Sequence, residues 1–344
     1  MRFEFYHSGL ENVPKLSVDG TVGNAIHFSH WVGNETPAEL KADTSTEIAL
    51  NLVAAPHHAR LTRGIQLVTN NHFDTDGVLS VWTVLAGEKA LDLNDKLIAA
   101  AEAGDFSEFT NEAAVRASIV IQGSDQPFPN AESGSPLALQ LAGGEVDDAR
   151  AYELVLPEVE RVLTHVDDYE PLWRDAWQRI ATALESFERG ASTVTELVDA
   201  KLSVVTLAPE IFSSSGFNPT RHAAPYTAIS RYARGEIFLI ATPAGSGWTY
   251  RIDYPYYSWA ETLVRPRIKR RDLTPLINQL NEVEPNRDGK WQLDSREMTS
   301  ALKFVGPDDV LASSGLAPDK VADILSTQLL RKDPQSLRPD PIRS

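Results

Sequence analysis

One segment constrains this chain more than any other: residues 65–85, IQLVTNNHFDTDGVLSVWTVL. An apolar run suited to a buried strand (residues 65–68) enters a polar stretch, and an apolar helical pattern opens at Gly77 and runs to Leu85. Gly77 suits a tight turn between the two. A strand feeding a loop and then a helix is the building unit of α/β sheets, where functional residues collect beyond the carboxyl ends of strands. In that loop His72, Asp74 and Asp76 stand at alternate positions, so an extended backbone points all three side chains to one side. One imidazole and two carboxylates at a strand end make a ligand set for a hard divalent cation, Mn²⁺ or Mg²⁺, with zinc or ferrous iron as further choices. Asp and Asn are also common turn formers, so a solvated turn is the competing explanation.

The chain contains no cysteine, which excludes disulfides, thiolate metal sites and cysteine nucleophiles, so any metal must be held by histidine nitrogen and carboxylate oxygen. With 42% hydrophobic and 23% charged residues over 344 positions, the composition is that of an ordinary globular protein large enough for two cores. A formal net charge of −16 repels a polyanion at long range. A small anionic substrate held through a metal ion fits that charge more easily than a long nucleic acid, which would need a local basic surface. A well-solvated acidic surface explains the charge equally. No stretch approaches the ~20 apolar residues of a membrane span, and the start, MRFEFYHSGLENVPKL, lacks the pattern of a secretion signal. A cytoplasmic protein is expected.

No internal repeat or low-complexity segment interrupts the chain. Residues 25–28 read as a short buried strand and residues 46–53 as a helix that Asp43, Thr44 or Ser45 can cap, with Glu47 in its first turn. The Gly-, Ser- and Pro-rich stretch 123–144 is the best linker. Helical spacing follows in Leu154, Val159, Val162, Leu163, Trp173, Trp177, Ile180, Leu184 and Phe187. Residues 236–242 and 247–252 flank Pro243-Ala244-Gly245-Ser246 as a hairpin. The expected architecture is α/β, a mainly parallel sheet flanked by helices with a helical connector and a smaller α+β C-terminal domain. Its expected boundaries are 1–125 for the metal-binding catalytic domain, 126–208 for linker and connector, 209–331 for a substrate-binding domain, and 332–344 for a frayed, proline-containing tail.

The string His72-x-Asp74-x-Asp76-Gly77-x-x-Ser80 resembles the first metal motif of the DHH phosphoesterase superfamily. The resemblance implies a parallel α/β catalytic domain, a two-metal site usually holding Mn²⁺, and a smaller substrate-binding C-terminal domain. Residues 26–53 are similar to the family's Asp-His-His motif and the helix start after it: His30 falls on the last motif histidine, and Ser45, Thr46 and Glu47 fall on the helix start. Asp19, in Ser17-Val18-Asp19-Gly20, matches the motif-two aspartate. Two departures stand out. Phe28 and Ser29 replace the Asp-His pair before His30, and this segment precedes the His72 motif whereas the family has it after, as a circular rearrangement would produce. Asp105, in Ala-Gly-Asp-Phe after a helical stretch, is the candidate for completing a second metal position, with a plain helix end as its alternative. Two ions about 4 Å apart would clamp the attacking and leaving oxygens and supply hydroxide at neutral pH. Of the aspartates, Asp76 is expected to bridge them, and His30 to steady a metal or the phosphate.

A rival explanation uses the same residues. Asp74-Thr75-Asp76-Gly77-Val78-Leu79 also looks like the first motif of haloacid dehalogenase-type phosphatases, with Asp74 as nucleophile and Asp76 as acid and base. That scheme wants a strand running directly into the first aspartate, leaves His72 without a task, and finds only Gly306-Pro307-Asp308-Asp309 as a weak downstream match.

Elsewhere, His57 and His58 read as a solvated pair, His165 as structural, and His27 as out of phase with His30. Arg221 and His222, beside Asn218, sit in a polar loop of substrate-binding character that distantly resembles the Gly-Gly-His region of the family's C-terminal domain without the glycines. If extended, 264–271 (VRPRIKRR) puts Arg265, Arg267, Lys269 and Arg271 on one face, a stripe suited to phosphate or to a charged edge strand. Tyr250, Tyr254, Tyr256, Tyr257 and Trp259 are candidates for stacking on a nucleobase or for a core. The expected function is a divalent-metal-dependent hydrolase of phosphate esters or phosphoanhydrides. It would hold Mn²⁺ or Mg²⁺, two ions in all, and act on a small phosphorylated substrate or short nucleic acid, with Arg221, His222, Arg265 and Arg267 as substrate ligands. A non-catalytic metal- or nucleotide-binding protein on the same fold is a further alternative, and a homodimer is compatible with the sequence.

Overall fold

The computed structural model describes residues 1–123, 137, 147–212, 225–293 and 300–331. Arg221 and His222 lie outside the described residues, as do most of the expected linker and the tail. The chain divides into two compact units. The first comprises Met1–Leu184, Pro225–Arg231 and Tyr256–Arg267, and the second Glu185–Ala224, Tyr232–Pro255 and Ile268–Ser344.

The first unit is built on a four-stranded sheet, β1 (Arg2–Phe3), β2 (Lys15–Val18), β3 (Ile26–Phe28) and β4 (Leu67–Thr69), in the order β1-β4-β2-β3. Every neighbouring pair is parallel, with Ser17 beside Thr69 and Val18 beside Phe28. β2 and β4 are buried along their whole length, as central parallel strands covered on both faces must be. Even Lys15 is enclosed; its ammonium is held by the carbonyl oxygens of Leu10, Glu11, Val13 and Asn24 at 3.0–3.4 Å, which pins the start of β2. The helices are α1 (Ser45–Ala54), α2 (His58–Leu61), α3 (Thr75–Ala86), α4 (Asn94–Asp105) and α5 (Glu112–Gln122), followed by Asp148–Val155, Val159–Thr164 and Glu170–Glu188. Ile48, Ala49, Val78, Leu79, Val81, Ala100, Ile119 and Val120 are buried with Leu16, Phe28 and Val68 in the core. The helices up to Leu184, expected as a connector, belong to this first unit.

Caps explain the helix starts. The Thr44 hydroxyl accepts from Glu47 N at 3.2 Å and opens α1. The Asp74 carboxylate accepts from Gly77 N at 2.7 Å and opens α3 at Thr75, two residues before the sequence pattern suggested. Gly77 therefore lies in the first turn of a helix and not in the tight turn expected for it. The absence of a Cβ there leaves room for Asn70 and Tyr152, which an added Cβ would meet at 2.5 Å and 2.8 Å.

The second unit carries a six-stranded mixed sheet in the order β5-β6-β7-β8-β10-β9, from β5 (Thr193–Leu197), β6 (Leu202–Thr206), β7 (Ile237–Ala244), β8 (Gly247–Asp253), β9 (Lys290–Leu293) and β10 (Ser300–Val305). β6 and β7 are parallel and the other pairs antiparallel. β7 and β8 form the expected hairpin, with Ala244 opposite Gly247 and Gly245 at φ +61°. Tyr250, Trp291 and Phe304 pack together in this core. The protein is thus a mixed α/β protein. Among the described residues no helix is long and apolar enough to cross a membrane.

Candidate metal centre

Parallel pairing puts the carboxyl ends of β2, β3 and β4 along one edge of the sheet, and six acidic and imidazole side chains of the first unit meet there. Two groups of ligand-type atoms, within each of which all atoms lie no more than 4.8 Å apart, share one residue: Asp19, His30, Asp76 and Asp105 form one, and Asp19, His72 and Asp74 the other. The shared residue is Asp19 and not Asp76, which the sequence pattern favoured as the bridge. Asp19 follows β2 at φ +62°, a left-handed conformation unusual for a residue with a side chain, and its carboxylate belongs to both groups. Gly20 after it lets the chain pass against Asn70 and Asn71, where a Cβ would lie 2.5 Å from Asn70 Oδ1.

Each histidine is aimed by a hydrogen bond at its far ring nitrogen. His30 Nδ1 lies 2.6 Å from the carbonyl oxygen of Asp43, so Nδ1 carries a proton and the neutral ring would offer its Nε2 lone pair to a cation. That Nε2 faces Asp105 at 3.2 Å, Asp19 at 3.5 Å and Asp76 at 3.7 Å. His72 Nδ1 faces Asn71 Oδ1 at 3.3 Å, while its Nε2 faces Asp19 at 2.9 Å and Asp74 at 3.0 Å. Asp76 is held by both oxygens: the backbone N–H groups of Ser45 and Thr46, at the start of α1, donate to it at 2.7 Å each. The Ser45 hydroxyl donates to Asp19 Oδ1 at 2.8 Å.

Three buried atoms of this cluster, Asp19 Oδ2, His30 Nε2 and His72 Nε2, make no hydrogen bond. Asp19 Oδ2 and His72 Nε2 stand 2.9 Å apart without the geometry of donation, and His30 Nε2 faces three carboxylates at 3.2–3.7 Å in the same way. Buried polar atoms left so are costly, and a cation between them removes the cost. The electrostatics agree. Burial pushes the Asp105 carboxyl well above its ordinary range, and the charges of Asp74 and Asp76 add to the push. Burial raises Asp76 to about 7, with the charge of Asp19 acting the same way. Burial works against protonated His72, but Asp74 and Asp19 reverse that and lift it to about 12. For His30 burial is likewise overcome, by Asp105 and Asp19, and its pKa is raised. Asp19 alone is lowered: burial opposes its charge, and His30 and His72 more than offset it. Four carboxylates and two imidazoles in this space compete for protons, and divalent cations relieve that competition. The donor set, oxygen-rich with one nitrogen in each group, suits hard divalent ions.

All six residues named from the sequence as catalytic or metal-binding (Asp19, His30, His72, Asp74, Asp76 and Asp105) are at this one place. The basic stripe is not. Arg265 is turned inward, its guanidinium bonded to Asp43 at 2.8 Å, Glu102 at 2.6 Å and Glu108 at 2.6 Å, so it is committed to carboxylates and not presented to an anion. Arg267 is exposed. Arg271 donates from its guanidinium to the carbonyl of Leu329, and Arg270 covers the ring of Tyr254 at 4.3 Å, both within the second unit. Residues 264–271 form no strand, so the single charged face expected of an extended run does not arise. Tyr250, Tyr254 and Tyr256 are buried, while Tyr257 and Trp259 are half-buried. Asp74 is separated from β4 by residues 70–73 and serves as a helix cap, which removes the strand-to-aspartate arrangement of the dehalogenase-type alternative. His27 bonds to the Val22 carbonyl at 2.6 Å, away from the cluster, and His165 is exposed. Sequence reasoning passed over Trp31, whose ring stands edge-on to His72 at 5.7 Å; its place directly after His30 was the available signal.

No curated protein matches the chain. Among solved structures, a pGpG-specific phosphodiesterase from Vibrio cholerae is similar at a TM-score of 0.35 and 12% identity, over 92% of this chain and 83% of that one. A family model described as a family of unknown function, DUF6687, matches residues 1–340, and the chain belongs to that family.

Proposed function

We propose that the protein is a divalent-metal-dependent hydrolase of phosphate esters or phosphoanhydrides, with a site of the DHH phosphoesterase kind that takes two Mn²⁺ or Mg²⁺ ions. The observation that carries this reading is the sharing of Asp19 between two buried ligand groups, each with its own histidine. Asp19, His72 and Asp74 would hold one ion, and Asp19, His30, Asp76 and Asp105 the other. Such a pair of ions supplies Lewis acidity and lowers the pKa of water, which is what attack on a phosphoryl group requires.

The chain's own residues do the rest. Asp43 and Asn71 hold the two histidine rings with Nε2 facing inward. The start of α1 holds Asp76 in place through two backbone N–H groups. Asp19, His30 and Asp76 are closed to solvent, whereas His72 and Asp74 keep 29% and 25% of their side-chain surface, so a phosphorylated substrate would arrive on the His72–Asp74 side. The order of motifs along the chain differs from that of the DHH family. The strands nevertheless lie side by side as β4-β2-β3, so their loops meet whatever the order of connection.

The test is hydrolysis of bis(p-nitrophenyl) phosphate, pyrophosphate and short oligonucleotides by the full chain with Mn²⁺, beside an Asp19→Asn protein. Turnover abolished by the substitution supports the reading. Metal binding without turnover of any of these would instead favour a non-catalytic binding protein.

A further inference from the structure

Trp31 is 41% exposed, yet it is not a loose surface residue. Its backbone N–H donates to Ser29 Oγ at 3.1 Å, and its backbone carbonyl accepts from Asn34 N at 3.0 Å and Asn34 Nδ2 at 2.8 Å. Gly33, at φ +86°, closes this turn. Glu261 braces it from outside, accepting from Asn34 Nδ2 at 2.9 Å, Gly33 N at 3.3 Å and Lys41 at 3.1 Å. The indole ring stands at 65° to the His72 ring with centroids 5.7 Å apart, and at 62° to Trp259 at 5.1 Å. Trp259 in turn meets the His30 ring at 4.9 Å and 81°. A chain of aromatic edges thus runs from the histidine of one ligand group to the histidine of the other, and its exposed end is beside the accessible pair, His72 and Asp74.

From this we infer that Trp31 is a specificity-determining residue that stacks on a planar ring of the substrate, so that the substrate class is the nucleotide. The inference rests on the phosphohydrolase reading above and narrows it. A phosphate engaged on the His72–Asp74 side leaves whatever it carries next to Trp31, and a base joined through a sugar is within reach of the indole. A ring on a braced turn and packed edge-on against His72 and Trp259 loses little freedom on binding, which is why braced aromatic side chains make effective contact surfaces. Stacking on an indole is tolerant of base identity and contributes roughly 5- to 150-fold in affinity per base. Tyr250, Tyr254 and Tyr256 are buried and do not offer such a face.

The experiment uses the full-length protein loaded with Mn²⁺ and two probes in which carbon replaces the phosphoester oxygen, so that no turnover intrudes: the 5′-methylenephosphonate of adenosine and that of 1-O-methylribose. Calorimetry first measures Mn²⁺ binding and then the affinity for each probe. The expected result is at least fivefold tighter binding of the adenosine compound, a ratio near one in Trp31→Ala, and most of the preference kept in Trp31→Phe, with thermal melts confirming that both variants fold. Equal binding of the two probes to the Mn²⁺-loaded wild type overturns the inference while leaving the metal reading standing. So does a preference that survives Trp31→Ala, or Mn²⁺ binding with no affinity for either probe. Failure to bind Mn²⁺ at all overturns the metal reading, and the inference with it.

Discussion

The ring of His30 donates from Nδ1 to the backbone carbonyl of Asp43 at 2.6 Å, and the carboxylate of the same Asp43 grips a segment more than two hundred residues away. It accepts from the backbone N–H groups of Leu263, of Val264 at 2.8 Å and of Arg265 at 3.0 Å, and from the Arg265 guanidinium at 2.8 Å. Burial opposes the charge of Asp43, but these donors hold its pKa below the ordinary range. One residue therefore both aims a candidate metal ligand and fastens the stretch that carries Trp259 and Glu261.

Asp43→Asn keeps the shape and loses the charge. Its partners Leu263, Val264 and Arg265 are then left under-satisfied in a site where Asp43 itself is buried, and a loss on the order of 3 kcal/mol is expected in urea unfolding. Because the carbonyl that aims His30 shifts with the side chain, Mn²⁺ affinity should fall by about tenfold or more. Isothermal titration measures that second effect separately from stability.

Arg265 faces three carboxylates within 2.8 Å, and although burial lowers its tendency to stay charged, Glu108 and Glu102 raise it further. Arg265→Lys preserves the charge but replaces a fork with a point, so it cannot satisfy Asp43, Glu102 and Glu108 together. The melting temperature of the variant should drop by several degrees, as expected for a loss of about 1–2 kcal/mol. A melting curve equal to that of the wild type would show that this ion cluster holds nothing.

The metal-free protein should lose stability as pH rises. Asp76 is lifted to about 7 and His72 to about 12, so across this range the folded chain binds protons that the unfolded chain releases. The contribution of Asp76 is present below about pH 4 and lost as pH climbs through 7. That of His72 is present below about 6.5 and lost as pH climbs toward 12. Asp19, with its pKa lowered, acts oppositely, but only in acid, where its contribution is lost as pH falls below the ordinary aspartate range. Cations replace those protons, so Mn²⁺ affinity should increase with pH through 7 and binding should release protons. Thermal melts from pH 5 to 9 with EDTA and with Mn²⁺ check both trends.

Gly20→Ala places a methyl 2.5 Å from Asn70 Oδ1 and against Asn71 Oδ1, beside a residue in the left-handed region. Asn71 is the partner of the His72 ring, so the clash reaches the ligand. A destabilisation of about 1–3 kcal/mol and weaker Mn²⁺ binding are expected together. Chemical denaturation and metal titration on one preparation would show whether the two losses coincide.

Much of this was legible in residues 65–85, where an apolar strand, alternate His and Asp, and an apolar helix are local signals that an α/β sheet preserves. Asp19 and His30 could be named only through the resemblance to the DHH motifs, and Asp105 because a helix pattern ends at it. Which aspartate is shared was not legible, because sharing depends on strand register. Ser17 lies beside Thr69 and Val18 beside Phe28, so Asp19 emerges between the loops that carry His72 and His30, whereas Asp76 is drawn away to the start of α1. Arg265 misled for a related reason. Its charge is visible locally, but the carboxylates that claim it are at positions 43, 102 and 108 and come together only through the fold. Trp31 was hidden by its ordinary surroundings: nothing in Ser-His-Trp-Val-Gly tells that the turn is braced by Glu261.

The central claim is that Asp19 serves two cation positions at once, and the most direct measurement is metal stoichiometry. Wild-type protein stripped with EDTA and titrated with Mn²⁺ should take up two ions per chain, Asp74→Ala should keep one, and Asp19→Ala should keep neither. Wild-type protein that binds no Mn²⁺, or Asp19→Ala protein that still binds one ion with wild-type affinity, would contradict the account.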